Sequence, residues 1–251
     1  MIRKQKYLND KGMLALLTLI SAFPPLSTDL YLPALPRMQA VLNTSQSRVN
    51  LTLSMFFVFY AVGLLFWGPL SEKYGRKPIL LIGMVLYIIS SIMCGLSQHA
   101  EPLIAGRILQ AIGGSAATAV STAMVKDLYS GRKREKVMAL VMSMVIIAPI
   151  VAPIMGARLL EVMPWEAVFF VLAGVGAAAL MAGALLEETI ENRYTGSVWR
   201  SWGRLAVVLK NPEFSTLLAI FSTISMFIMT FRAASSFIYI NGFGLNEREF
   251  S

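Results

Sequence analysis

The stretch Gly68-Pro69-Leu70-Ser71-Glu72-Lys73-Tyr74-Gly75-Arg76-Lys77-Pro78 lies between two apolar runs, at about 51–71 and 78–98, and its setting decides the fold. Each flanking run is long enough to cross a bilayer, whose hydrocarbon core of about 30 Å needs roughly 20 apolar residues as a helix. The polar stretch is then a tight connection at one membrane face. Five further runs qualify, at about 12–35, 102–126, 137–160, 166–187 and 214–240. Long unbroken runs predict helices, since a membrane barrel is written in short alternating strands. Of 251 residues, 56% are hydrophobic and 14% charged, against about 25% charged in an average soluble domain. A water-soluble enzyme is excluded. One histidine and one cysteine leave no Cys/His zinc cluster and no disulfide within the chain, and Cys94 reads as a small buried residue. The expected fold is an all-α integral membrane protein with no catalytic residue, metal or cofactor.

The basic residues predict its orientation. Sixteen lie in the N-terminal tail and in the connections after spans 2, 4 and 6, and four lie on the other side (Arg37, Arg48, Arg158 and Arg248). The positive-inside rule then puts the N-terminus in the cytoplasm. The net charge of +8 records insertion, and nucleic acid has no claim on it. Arg3, Lys4, Lys6 and Lys11 before the first run imitate a signal peptide. That run is too long, carries Pro24, Pro25, Pro33 and Pro36, and precedes six more spans, so it reads as a retained helix. The division expected is a six-helix bundle over 1–187, a cytoplasmic linker over 188–213, and the first helix of a second bundle over 214–251. In the linker, Val198, Trp199, Trp202, Leu205, Ala206 and Leu209 recur at helical spacing among Arg200, Arg204 and Lys210. They suggest a short amphipathic helix on the membrane surface, with an unstructured linker as the alternative.

Three motifs carry a family resemblance. In the opening stretch, Gly68 and Gly75 permit a tight turn, while Glu72, Arg76 and Lys77 can tie helix ends together. The pattern resembles the signature loop of the major facilitator superfamily, with Glu72 in place of the usual Asp. Arg107-Ile108-Leu109-Gln110-Ala111-Ile112-Gly113-Gly114 looks like that superfamily's R-x-x-Q-[GA]-x-G stretch. In span 5, Ala148-Pro149-Ile150-Val151-Ala152-Pro153-Ile154-Met155-Gly156 resembles its antiporter motif, with Ala where antiporters often have Gly. Pro149 and Pro153 each remove a backbone bond and are expected to bend the helix, and Gly156 lets a neighbour approach. Ser27-Thr28-Asp29-Leu30-Tyr31-Leu32-Pro33-Ala34-Leu35-Pro36 is similar to the opening of the Bcr/CflA group of drug:proton antiporters, and Phe237–Gly244 to its seventh span. The resemblance implies two six-helix halves and export of small drugs, such as bicyclomycin or chloramphenicol, against protons entering the cell. It also implies a multi-pass protein of the inner membrane, a small hydrophobic, cationic or neutral drug as substrate, and the proton as coupling ion. On this reading the chain is the first half plus one helix, and is expected to be inactive without the missing half. Two alternatives stay open: a symporter or uniporter for a small metabolite, and a non-transporting membrane fragment. A retinal protein is disfavoured, because span 7 carries Arg232 and no lysine.

The charges inside the spans are the candidate coupling residues. An intramembrane carboxylate costs roughly 2.5–3.5 kcal/mol on the insertion scale, so Asp29 should face a cavity or a partner. It stands about seven residues, or roughly 10 Å, from the end of its span, with Arg107 at a similar depth and Gln110 one turn further on the same face. Asp29 is the expected proton carrier, since arginine stays charged. The alternative is that Asp29 and Arg107 tie helices together. Arg232, about five residues deeper than Asp29, either bridges to Asp29, faces the cavity independently, or reaches away to the membrane surface. Phe56, Phe57, Phe59, Tyr60 and the many methionines suit a surface that repacks around varied ligands, or plain packing.

Overall fold

Four prolines shape the first span. Asn9 caps α1 (Asp10–Ser21), its side chain accepting the Gly12 N–H at 2.8 Å. Pro24 and Pro25 open α2 (Phe23–Asp29), where their missing N–H groups cost little. Pro33 offers no N–H to the carbonyl of Asp29, and the chain tightens into a 3-10 turn at Leu32–Ala34 before α3 (Leu35–Val41). The single helix expected over 12–35 is therefore a broken one that runs on to Val41 and places Asp29 deeper. In this computed structural model, residues 7–191 and 193–246 are described, those at 199–201, 204–206, 232, 233 and 241 by backbone alone.

Beyond the break, α4 (Gln46–Tyr74) starts at the cap of Ser45 and passes through Gly68 and Pro69 without interruption. Its successor α5 (Arg76–Gly95) begins two residues after α4 ends. Gly68 therefore takes no part in the turn, contrary to expectation. The connection is Gly75 alone, at φ 111° and ψ 155°. Both flanking helices extend because Glu72, Lys73 and Tyr74 complete one last turn, and Arg76 and Lys77 begin another. The remaining elements are α6 (Ala100–Leu128), α7 (Gly131–Val162), α8 (Glu166–Ala184), α9 (Val198–Leu209) and α10 (Pro212–Ser236), with a π turn at Phe237–Gly242. The described helices include seven spans long and apolar enough to cross a membrane.

In lipid, apolar surface gives helices no reason to associate, so close packing and hydrogen bonds must hold them. Within the bundle α6 packs between α4 and α5, and α5 packs between α6 and α8. Gly83 of α5 and Gly113 of α6 lie back to back: a Cβ on Gly83 would stand 2.9 Å from the Gly113 carbonyl oxygen. Hydroxyls cross-link the helices: buried Ser27 to Tyr87 at 2.6 Å and Ser21 to Ser121 at 2.8 Å, and half-buried Tyr60 to Thr118 at 2.5 Å. Packed on α1 and α2, α7 turns Ile146 and Ile150 outward.

Two helices lie at the margin. Pro69 leaves the Leu65 carbonyl without its usual donor four residues on, and the indole of Trp202 on α9 donates there at 3.1 Å. A helix thus forms within the linker and docks on α4, while the side chains of Trp199, Arg200, Arg204, Leu205 and Ala206 lie outside the described residues. Leu217, Phe221 and Phe227 of α10 are exposed, and the helix meets the bundle near its end, where Ser235, Ser236 and Phe237 are buried and the chain touches the Leu32–Ala34 turn and α3.

Candidate functional site

The polar residues of α2 and α6 meet in the apolar interior. Asp29 is fully buried, its Oδ1 3.3 Å from the hydroxyl of Thr28. Arg107 is equally buried and donates through Nη1 to the Ser27 carbonyl at 3.0 Å and to Gln110 Oε1 at 2.5 Å. Gln110 passes the chain on, donating to the Ser91 hydroxyl at 2.7 Å, which donates to the Tyr87 carbonyl. The guanidinium lies over the ring of Phe56, 4.2 Å from its centroid, with Tyr31 at 4.8 Å and Phe169 at 5.8 Å. Cation–π attraction of about 2 kcal/mol or more for a desolvated cation explains how this charge is held in an apolar setting. The Tyr31 hydroxyl is in turn bonded to Thr52.

Asp29, Arg107 and Gln110 thus share one neighbourhood, but the two charges are not ion-paired with each other among the described residues. Arg107 instead engages the backbone of Ser27, within the same helical piece as Asp29. Its Nε and Nη2 have no hydrogen-bond partner among the described residues. The side chain of Arg232 lies outside the described residues. Of the span 5 motif, Pro149 and Pro153 are half-buried inside α7, which runs through both without interruption. Gly156 meets the first span at its break. A Cβ there would run into the carbonyl of Leu30, next to Asp29. Arg37 adds a second tie between these elements, donating to the Leu160 carbonyl at 2.9 Å.

The signature loop forms a second polar cluster, at the end of the bundle where α4 turns into α5. Arg76 is buried, its Nε donating to Asp127 Oδ2 at 2.9 Å and its Nη1 to the Ser71 hydroxyl at 2.6 Å. Its own N–H donates to Glu188 Oε1 at 2.8 Å. Lys77 reaches the carbonyl of Ala184 at 2.8 Å. Glu72 is exposed, and its carbonyl accepts the Tyr194 N–H at 2.9 Å. The acid facing Arg76 is therefore Asp127 of α6. Ser71, Asp127 and Glu188 were not singled out from the sequence. A weak signal exists for Asp127, an acid beside Lys126 at the end of a span whose following connection is otherwise strongly basic. Around this cluster lies a cavity of about 450 Å³ lined by Glu72, Arg76, Asp127 and Arg193.

A bundle of helices long and apolar enough to cross a membrane, with charges buried in its interior and a charged turn at one end, defines the class of multi-pass helical membrane proteins. The chain belongs to the major facilitator superfamily, whose description it matches over residues 17–251. It is 34% identical over 166 residues to the multidrug resistance protein MdtL of Escherichia coli strain SMS-3-5, an overlap covering 66% of this chain and 42% of that protein. The MdtL of Escherichia fergusonii gives the same figures. The matched segment thus spans about two fifths of the length of these relatives. Among solved structures, a D-xylose-proton symporter superposes with a TM-score of 0.71 at 15% identity, over 96% of this chain and 64% of that one. The human organic anion transporter TETRAN gives 0.70 at 19% identity, over 96% and 68%. At these identities the likeness speaks for the fold.

Proposed function

We propose that this chain is the first half, with linker and seventh helix, of an exporter that moves small drugs out of the cell against protons entering. Its N-terminus and signature loop face the cytoplasm of the inner membrane. The observation that carries the reading is the burial of Asp29 in the broken first span, where Arg107 of α6 holds the nearby Ser27 carbonyl, in a chain whose relatives are named multidrug resistance proteins. Coupling requires a group whose protonation changes as the cavity switches sides, and a carboxylate there can serve. Asp29 holds the proton. Arg107 tracks it: two donors that have no partner among the described residues suit a guanidinium that pairs with the carboxylate in another conformation. Gly156 lets α7 ride against the break at Leu30, so that a shift of one helix is felt by the other.

The test is Asp29→Asn in a polypeptide carrying both six-helix halves, which keeps the shape and removes the titration. Normal insertion and drug binding, with drug-induced proton release abolished, is the expected result. Undiminished export driven by a pH gradient in vesicles would reject Asp29 as the carrier. Uptake of a drug or metabolite together with protons would reject the direction.

A further inference from the structure

We infer that Glu188 is the positioning residue of the signature loop, capping α5 from a distant part of the chain. A helix start leaves backbone N–H groups without partners, and a side chain at the N-cap ordinarily meets one of them. Here the N-cap is Gly75, which has no side chain. The need is met by Glu188, in the segment after α8. Its Oε1 accepts the Arg76 N–H at 2.8 Å, along with those of Thr189 at 3.0 Å and Ile190 at 3.2 Å. The same carboxylate fills the space that a Cβ on residue 75 would need. One acid therefore orients both its own segment and the first residue of α5, while the helix dipole favours its negative charge.

That first residue is Arg76, so the cap decides where the guanidinium points. With its backbone held by Glu188, Arg76 reaches Asp127 and Ser71 at once. The surrounding ties run the same way. Lys77 closes the end of α8 at Ala184, the Tyr194 N–H binds the Glu72 carbonyl, and Trp202 docks beside Pro69. Ala184, Glu188, Tyr194 and Trp202 are thus tied along the turn between α4 and α5, with half-buried Glu188 as the central fastening. A pull on the linker is then transmitted to Arg76. This geometry is independent of the cargo; only its consequence for transport rests on the function proposed above.

Hydrogen–deuterium exchange of the chain in lipid nanodiscs tests it, read in peptides covering residues 72–80. Glu188→Ala should speed exchange there by roughly tenfold or more, the change expected when a hydrogen bond to a charged acceptor is lost. Glu188→Gln, which retains an acceptor oxygen at the same reach, should restore most of the protection. Lys77→Met removes a neighbouring tie and leaves the cap, so its effect at the Arg76 N–H should be small. If Glu188→Ala fails to insert, Glu188→Asp keeps the charge, withdraws the carboxylate by one methylene and should raise exchange in the same peptides. Unchanged exchange in whichever of these two variants inserts would overturn the inference. Equally fast exchange in Glu188→Gln and Glu188→Ala would also overturn it. Raised exchange that Gln rescues supports it, even where drug export is unaltered, and in that event the failure lies with the proposed transport role.

Discussion

At Gly75 the backbone takes φ 111° and ψ 155°, a region that a side chain makes costly. Gly75→Ala should therefore destabilise the protein by about 1–3 kcal/mol from the backbone alone. Its Cβ would also press on the Glu188 carboxylate. Thermal unfolding in detergent, followed for Gly75→Ala and the unaltered chain, measures the difference. Arg107 makes a different demand. A lysine keeps the charge but loses the planar face that lies over Phe56 and one nitrogen's double donation to Ser27 and Gln110. Arg107→Lys should insert normally and depress export at least roughly tenfold in a polypeptide with both halves, a loss of about 1.4 kcal/mol or more in the terms of a desolvated cation–π contact. Full export by this variant, in a vesicle transport assay, would reduce Arg107 to a generic positive charge.

Between elements, the broken first span and α7 act as a pair. Gly156 allows α7 to touch the Leu30 carbonyl, and a leucine there has no room to be placed. Gly156→Leu should cost about 1–3 kcal/mol through overpacking and lower the unfolding temperature. Pro33→Ala acts on the other partner. It supplies an N–H at a position where proline offers none to the carbonyl four residues back, and so favours a straighter helix through Leu30. Thermal stability should hold or rise while export falls, because the break that sets Asp29 beside α6 and α7 is reduced. Export retained at full rate by Pro33→Ala would show that the break is incidental to transport.

Across the whole molecule, the fold leaves α10 exposed along most of its length and engaged at its end, against the Leu32–Ala34 turn and α3. Transporters of this superfamily rock one six-helix half against the other around a central site. Residues 1–251 expressed alone should therefore enter the membrane but give a drug-sensitive host no resistance. Co-expression with a polypeptide holding the second half should restore it. Resistance from residues 1–251 alone, equal to that from an MdtL protein, would contradict this prediction.

Much of this was legible along the chain, because a bilayer imposes its thickness on every span and leaves long apolar runs little freedom but to be helices. The seven spans and the superfamily could be read from run length and the stretches around Glu72 and Arg107, while spacing offered a helix at Val198–Leu209 only as one of two readings of the linker. Local pattern also marked Asp29 as costly, since a lone carboxylate in an apolar run is conspicuous. It misjudged the shape of the first span, where four prolines divide one hydrophobic run, and the turn, where helical hydrogen bonding carries α4 past Gly68 to Tyr74. The partners of Arg76 could not be read in advance. Asp127 and Glu188 are far from it in the chain and lie beside it only because α6 and α8 pack on either side of α5. The aromatic enclosure of Arg107 is of the same kind, drawn from α4, α8 and the break in the first span. Spacing reports what one helix does on its own; which acid or ring meets a buried cation is decided by the packing of several.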